Sequence, residues 1–265
     1  LTLGMMLAIQ GVIGQLRGPL DDIMDMVYQW QDVNISMERI DEIHAMDDEE
    51  TAQRHVTAVA DISIHLEHVS FKYDRMKSTN ILDDITLDIP QGRVTAIVGT
   101  SGSGKTTLAK LILGHYAPLQ GHIDVGGTPL GSISLAWWRR QCGVVMQDGR
   151  LFEESIAQNI ALGYDEIDPD RIEYAAHMAN ILDYIDQLPM GFDTILYQGG
   201  QNLSNGQRQR LLIARAIYRM PRLFVFDEAT NSLDTNNETA IVNNLQEVFH
   251  DKTVVLIAHR LSTVR

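Results

Sequence analysis

The residues Gly99-Thr100-Ser101-Gly102-Ser103-Gly104-Lys105-Thr106 satisfy the pattern G-x-x-x-x-G-K-[ST] at every fixed position. Glycines at these places let the backbone turn its N–H groups inward into a concave anion nest, aided by a helix N-terminus. Lys105 is suited to neutralising the β- and γ-phosphates of a nucleotide. Thr106 can offer its hydroxyl to Mg²⁺, and Thr107 continues the candidate binding run. A second run, Leu223-Phe-Val-Phe-Asp227-Glu228, is an apolar stretch ending in two carboxylates. At the carboxyl end of a parallel strand, Asp227 would stand where such sheets bind ligands and hold Mg²⁺. Glu228 would face an attacking water as base. Phosphoryl transfer needs positioning and charge stabilisation above all, and these groups supply both.

Such residues work only if a sheet holds them together. Val94-Thr-Ala-Ile-Val98 and Val254-Val-Leu-Ile-Ala258 are apolar runs, as in central parallel strands covered on both faces. Further strands are expected at Gly143–Met146 and Leu223–Phe226, with helices after Gly104, between Ser155 and Met220, and near Glu238–Phe249. Ahead of them Ile62, Ile64 and Leu66, then Val69, Phe71 and Tyr73, alternate with polar residues as half-buried strands do. The stretch from about 155 to 220 interrupts the alternation and reads as an inserted helical lobe. The expected fold is α/β: a P-loop NTPase core with an antiparallel β subdomain and an inserted helical lobe.

Asn202-Leu203-Ser204-Asn205-Gly206-Gln207-Arg208-Gln209-Arg210 lies between the two runs and opens another helix. Leu-Ser-Asn-Gly-Gln resembles the signature motif of ABC ATPases, with Asn205 in place of the first glycine of the usual Leu-Ser-Gly-Gly-Gln. The resemblance implies that Ser204, Gly206 and Gln207 bind the γ-phosphate of ATP held by an opposite cassette. It also implies that Tyr73 stacks on adenine and that Gln147 joins Mg²⁺ to the helical lobe. On the same grounds Asp234, in Asn231-Ser232-Leu233-Asp234, touches the other subunit, and His259 contacts the γ-phosphate and orients the water. ATP and Mg²⁺ are the implied cofactors, with Thr106, Gln147 and Asp227 around the metal and Glu228, His259 and Gln147 around the chemistry. Tyr197-Gln198-Gly199-Gly200 departs from the Gly-Glu-Arg-Gly-like loop usual in exporters, having no acid.

The net charge is −14, which disfavours nucleic acid as a partner. Of it, −9 falls between Arg17 and Glu50, where 11 acids face two bases. Leu1–Gly14 is almost wholly apolar but shorter than the roughly 20 residues a membrane-spanning helix needs. It reads as the end of a truncated transmembrane helix, ended or kinked at Gly18-Pro19 and followed by an acidic amphipathic stalk helix. Residues 1–50 are thus expected to be helix end and stalk, 51–61 a linker, and 62–265 the cassette, with further strands expected after Arg265. Cys142, the single cysteine, excludes an internal disulfide and reads as inert packing in a strand.

Gly18-Pro19, Ile35-Ser-Met-Glu-Arg39-Ile40 and Val144-Val-Met-Gln-Asp-Gly149 are most similar to peptidase-containing, bacteriocin-type ABC exporters of bacteria. This implies export of a peptide or other small cargo through the chain's own transmembrane domain. It also implies a place at the cytoplasmic face of the inner membrane, with a cysteine peptidase domain upstream. Because Glu228, His259 and the signature are all intact, one chain type could make two competent sites, so a homodimer of cassettes is the simplest expectation and a heterodimer the alternative. A lipid or drug exporter is the alternative, and a soluble ABC ATPase acting on nucleic acid or ribosomes a more distant one.

Overall fold

A computed structural model describes residues 3–45, 49, 54–74, 79–197, 200, 202–227 and 243–258. The chain divides into two units, Leu1–Glu49 and Glu50–Arg265.

The first unit is one helix, α1 (Leu3–His44), and it runs through Pro19. Of the two outcomes expected at Gly18-Pro19, an end or a kink, the end does not occur. Pro19 withholds only the single N–H that would bond the carbonyl four residues back, and the turns on either side supply the rest. Its apolar side chains, Leu7, Ile13, Leu20, Trp30 and Ile40 among them, are exposed. Among the described residues no helix is long and apolar enough to cross a membrane.

The second unit holds two sheets. The antiparallel one comprises β1 (Ile64–Phe71), β2 (Leu82–Ile89), β4 (Gln120–Val125) and β5 (Thr128–Pro129), in the order β2-β1-β4-β5. The two alternating sets expected around Ile64 and Phe71 belong to one strand. They fall out of phase because β1 bulges at His68, whose φ is +51°, and its register against both neighbours shifts there. Gly121 (φ +78°) crosses the bulge so closely that a Cβ would lie 2.3 Å from the Glu67 carbonyl oxygen.

The parallel sheet comprises β3 (Val94–Val98), β6 (Cys142–Val145), β7 (Leu223–Asp227) and β8 (Thr253–Ala258), in the order β3-β8-β7-β6. β7 is buried throughout. Its Leu223 and Val225 enter a core shared with the antiparallel sheet and α2 (Lys105–Ile112). Its Phe224 and Phe226 enter the core of the helical lobe. β3 departs from the expectation of a strand covered on both faces. Among the described residues it pairs only with β8, and Val94 and Val98 are exposed. Cys142 is buried at the start of β6, where desolvation pushes its thiol pKa up and its S–H donates to the Trp138 carbonyl oxygen. Packing is its role, as expected.

A short helix, α3 (Leu135–Gln141), leads into β6, and between β6 and β7 lie α4 (Ile156–Ile160), α5 (Pro169–Met178), α6 (Leu182–Asp186) and α7 (Asn205–Tyr218). These last four are the helices of the lobe expected near 155–220. Over 54–60 the expected linker is instead tied to the cassette. Val56 forms a parallel bridge with Ile133, Arg54 donates to the carbonyls of Leu130 and Ile133, and Arg222 donates to those of Val59 and Ala60. Polar composition marked this stretch as a linker, but its backbone groups find partners on the cassette surface.

Candidate nucleotide site

Gly99–Gly104 joins the end of β3 to the start of α2. Gly102 and Gly104 take φ of +79° and +87°, a left-handed backbone that glycine adopts without strain. Gly104 is also the N-cap of α2, and no side chain caps that end, so the N–H groups of the first turn are left to a ligand. Space sets a second requirement. A Cβ on Gly104 would lie 2.7 Å from Leu82 Cδ2 and 3.0 Å from the Ile81 carbonyl oxygen. Thr100, Ser101 and Ser103 crown the loop in solvent. Lys105 is buried below it, its Nζ donating to the carbonyl oxygens of Gly99 and Thr100, each at 2.9 Å. The ammonium therefore holds the loop curled and has a third proton for a phosphate oxygen.

Thr106 Oγ1 donates to Asp227 Oδ2 at 2.6 Å, joining α2 to the end of β7. Asp227 is fully buried. A hydroxyl and a carboxylate in contact beside an anion nest suit a small hard cation that keeps phosphate and water oxygens as its other ligands. Among the described residues no three His, Cys, Asp or Glu side chains converge on a point, so a cation here needs those outside oxygens. The residues therefore fit Mg-ATP.

The carboxyl ends of the parallel strands bring the rest together. Val98 is level with Ala258, Asp227 with Ile257, and Val145 with Phe226. Gln147 stands in the exposed turn just beyond β6, at the same edge of the sheet as Asp227 and the glycine loop. Glu228, Asp234 and His259 lie outside the described residues, as do Gln198 and Gly199.

Among the described residues no hydrogen bond brings Ser204, Gly206 or Gln207 to this edge. They open α7, which packs against α4, α5 and β6. Ser204 Oγ accepts from the Gln207 N–H, and Gln207 Oε1 accepts from the Ser204 N–H, a reciprocal capping box. Both side chains are thus engaged in starting the helix, with Ser204 exposed at its tip. Tyr73 follows β1 and is half exposed. Its hydroxyl lies 3.2 Å from Thr107 Oγ1 in the first turn of α2.

Sequence reading missed a latch that ties the segment 150–155 to α4 and α7. Asn159 is buried on α4, and its amide nitrogen donates to the carbonyls of Phe152, Glu154 and Ser155. Its oxygen accepts from the Phe152 N–H and from Arg215 Nη2. Arg215, on α7, also donates to the Asn159 and Arg150 carbonyls. Burial lowers its pKa to about 10, which still leaves it charged at neutral pH. An apolar-flanked Asn inside Ser155-Ile-Ala-Gln-Asn159-Ile was the only signal, and helix interiors seldom hold one without a partner.

A glycine loop between a parallel strand and a helix, a buried lysine beneath it and a Thr–Asp pair beside it define a P-loop nucleotide-binding domain. Comparison with known proteins narrows the class. The family model described as ABC transporter matches residues 82–231. The Toxin RTX-III translocation ATP-binding protein of Actinobacillus pleuropneumoniae is 39% identical over 265 residues, all of this chain and 37% of that protein. The leukotoxin export ATP-binding protein LtxB of Aggregatibacter actinomycetemcomitans is also 39% identical, again across the whole chain and 37% of its own length. A bacterial Atm1-family ABC exporter, solved with ATP bound, superposes with a TM-score of 0.83 at 34% identity, over 100% of this chain and 47% of that one. The chain belongs to the ABC transporter family, as the ATP-binding domain of the kind found in exporters, which hydrolyse ATP. It spans little more than a third of the curated relatives it matches.

Proposed function

We propose that this chain is the motor of an exporter that moves a peptide or protein cargo, and that two copies of it close on Mg-ATP. The observation that carries the reading is the Thr106–Asp227 contact at 2.6 Å beside a loop curled by Lys105, which presents cation ligands and an anion nest together. Lys105 and the first-turn N–H groups of α2 bind the phosphates. Thr106 and Asp227, with Gln147, hold Mg²⁺, which neutralises charge on the transferred phosphoryl group when bound. Glu228 takes the proton of the attacking water, His259 orients that water, and Asp234 meets the second cassette.

The exposed Ser204 end of α7 makes the signature available to a second subunit's nucleotide, which favours a head-to-tail homodimer. The exposed apolar side chains of α1 suit attachment to transmembrane helices at the cytoplasmic face of the inner membrane. A peptide or protein cargo is favoured because two relatives that match the whole chain are named for toxin translocation and leukotoxin export. The likeness of Val144–Gly149 to bacteriocin-type exporters supports an upstream peptidase domain. The test is Glu228→Gln in the full-length transporter. The amide preserves shape and cannot act as base, so turnover falls by about 10²–10⁴-fold with ATP binding retained. Near-normal turnover refutes the mechanism.

A further inference from the structure

Three aromatic rings gather beside the helix that follows the glycine loop. Phe71 ends β1, Tyr73 stands two residues on, and Tyr116 lies in the turn after α2. The Tyr73 ring is perpendicular to both others, at 87° and 5.2 Å from Phe71 and at 81° and 5.2 Å from Tyr116. Phe71 and Tyr116 are themselves 5.5 Å apart. Phe71 is buried, so its position is set by the core, whereas Tyr73 and Tyr116 are 49% and 43% exposed.

We propose that Tyr116 is a positioning residue for the nucleobase: it fixes the plane of the Tyr73 ring, and so determines how well the cassette grips the base of ATP. A solvent-exposed tyrosine at the end of a strand ordinarily turns freely about its two side-chain torsions. Tyr73 is instead held at three points. These are the buried Phe71 ring, the Tyr116 ring and, at the hydroxyl, Thr107 Oγ1 on the helix that carries the phosphate loop. Phe71 and Thr107 belong to the core and to the loop's own helix. Tyr116 is the one support that reaches Tyr73 from a surface turn, and its exposure leaves it little share in the core. A preset ring avoids the ordering cost that a mobile one incurs when the base docks. Edge-to-face pairs contribute enough to change affinity about two- to tenfold. The inference rests on the reading of Tyr73 as the base platform.

The experiment uses the full-length transporter, with ATP as substrate and inorganic tripolyphosphate, which has no base, as competitor. Tyr116→Leu should raise KM for ATP about two- to tenfold with kcat little changed, and leave the tripolyphosphate inhibition constant unchanged. Tyr116→Phe should restore the wild-type KM. Added to Tyr73→Ala, Tyr116→Leu should cause no further loss, because its effect passes through Tyr73. Tyr116→Met, with melting temperatures for every variant, serves if the leucine variant does not fold. If tripolyphosphate binding weakens in step with ATP, Tyr116 supports the loop itself and the inference falls. If Tyr73→Ala raises KM and Tyr116→Leu does not, positioning by Tyr116 is refuted while the base platform stands. If Tyr73→Ala itself leaves KM unchanged, the base platform fails and the inference with it.

Discussion

Replacing Asn159 by Ala removes the hub of the latch between the segment 150–155 and the helices α4 and α7. Its amide meets five partners in the structure, but an NH₂ has two protons to share among three carbonyls, so about four bonds act at once. Each is worth about 1 kcal/mol net, with more for the bond from the Arg215 guanidinium. Phe152 is half exposed, so water can repair part of the loss on its side. The net destabilisation should be about 3 kcal/mol. For a domain of this size that corresponds to a fall in melting temperature of about 6–12 °C. Thermal unfolding followed by circular dichroism measures it, with ATPase activity read in parallel. If the latch only stabilises the fold, activity measured well below the melting temperature should fall no further than the fraction unfolded requires. Asn159→Asp should recover the bond from Arg215 but not those to the three carbonyls, and fall between. A shift under 2 °C would show that the segment 150–155 is held by other contacts.

Other perturbations probe the site and the sheet. Lys105→Ala and Ser204→Arg should each abolish turnover alone, yet mixed full-length dimers of the two should regain one working site; recovery near zero would refute action of the signature in trans. Gly104→Ala places a side chain at φ +87°, 2.7 Å from Leu82 Cδ2, so nucleotide affinity and stability should both fall, by about 1–3 kcal/mol in stability. An unchanged melting temperature would show that the loop can yield. Asp88 and Asp84 raise the pKa values of His65 and His68, mainly through side-chain hydrogen bonds. A raised folded pKa stabilises the protonated state, so this contribution is full below about pH 6.5 and lost as pH rises through the folded values. Chemical denaturation of the wild type and of His65→Gln/His68→Gln should therefore differ more at pH 6 than at pH 8. A difference independent of pH would refute the linkage.

Motifs that act through backbone shape and local order were legible in the sequence. Glycine spacing, Lys105 and the strand before them specify an anion nest because the N–H groups that form it come from one contiguous segment. The same holds for the signature, whose Ser204 and Gln207 spacing is that of a capping box. Alternation of apolar residues found β1, and apolar runs found the four parallel strands, whereas β2, β4 and β5 went unread. Even the phase slip between Leu66 and Val69 was visible, although only the fold shows it to be a bulge at His68 within one strand. Tertiary structure decided what depends on distant partners. It carried α1 through Pro19, tied residues 54–60 to the cassette, and left β3 exposed where the apolar run Val94–Val98 suggested burial. It also brought Thr106 to Asp227, joined Asn159 to Arg215, and set Tyr116 against Tyr73. The reason is physical. A sequence records which groups can bond and how neighbours along the chain are spaced, but a buried amide or an exposed ring acquires its role from groups that only folding brings within reach.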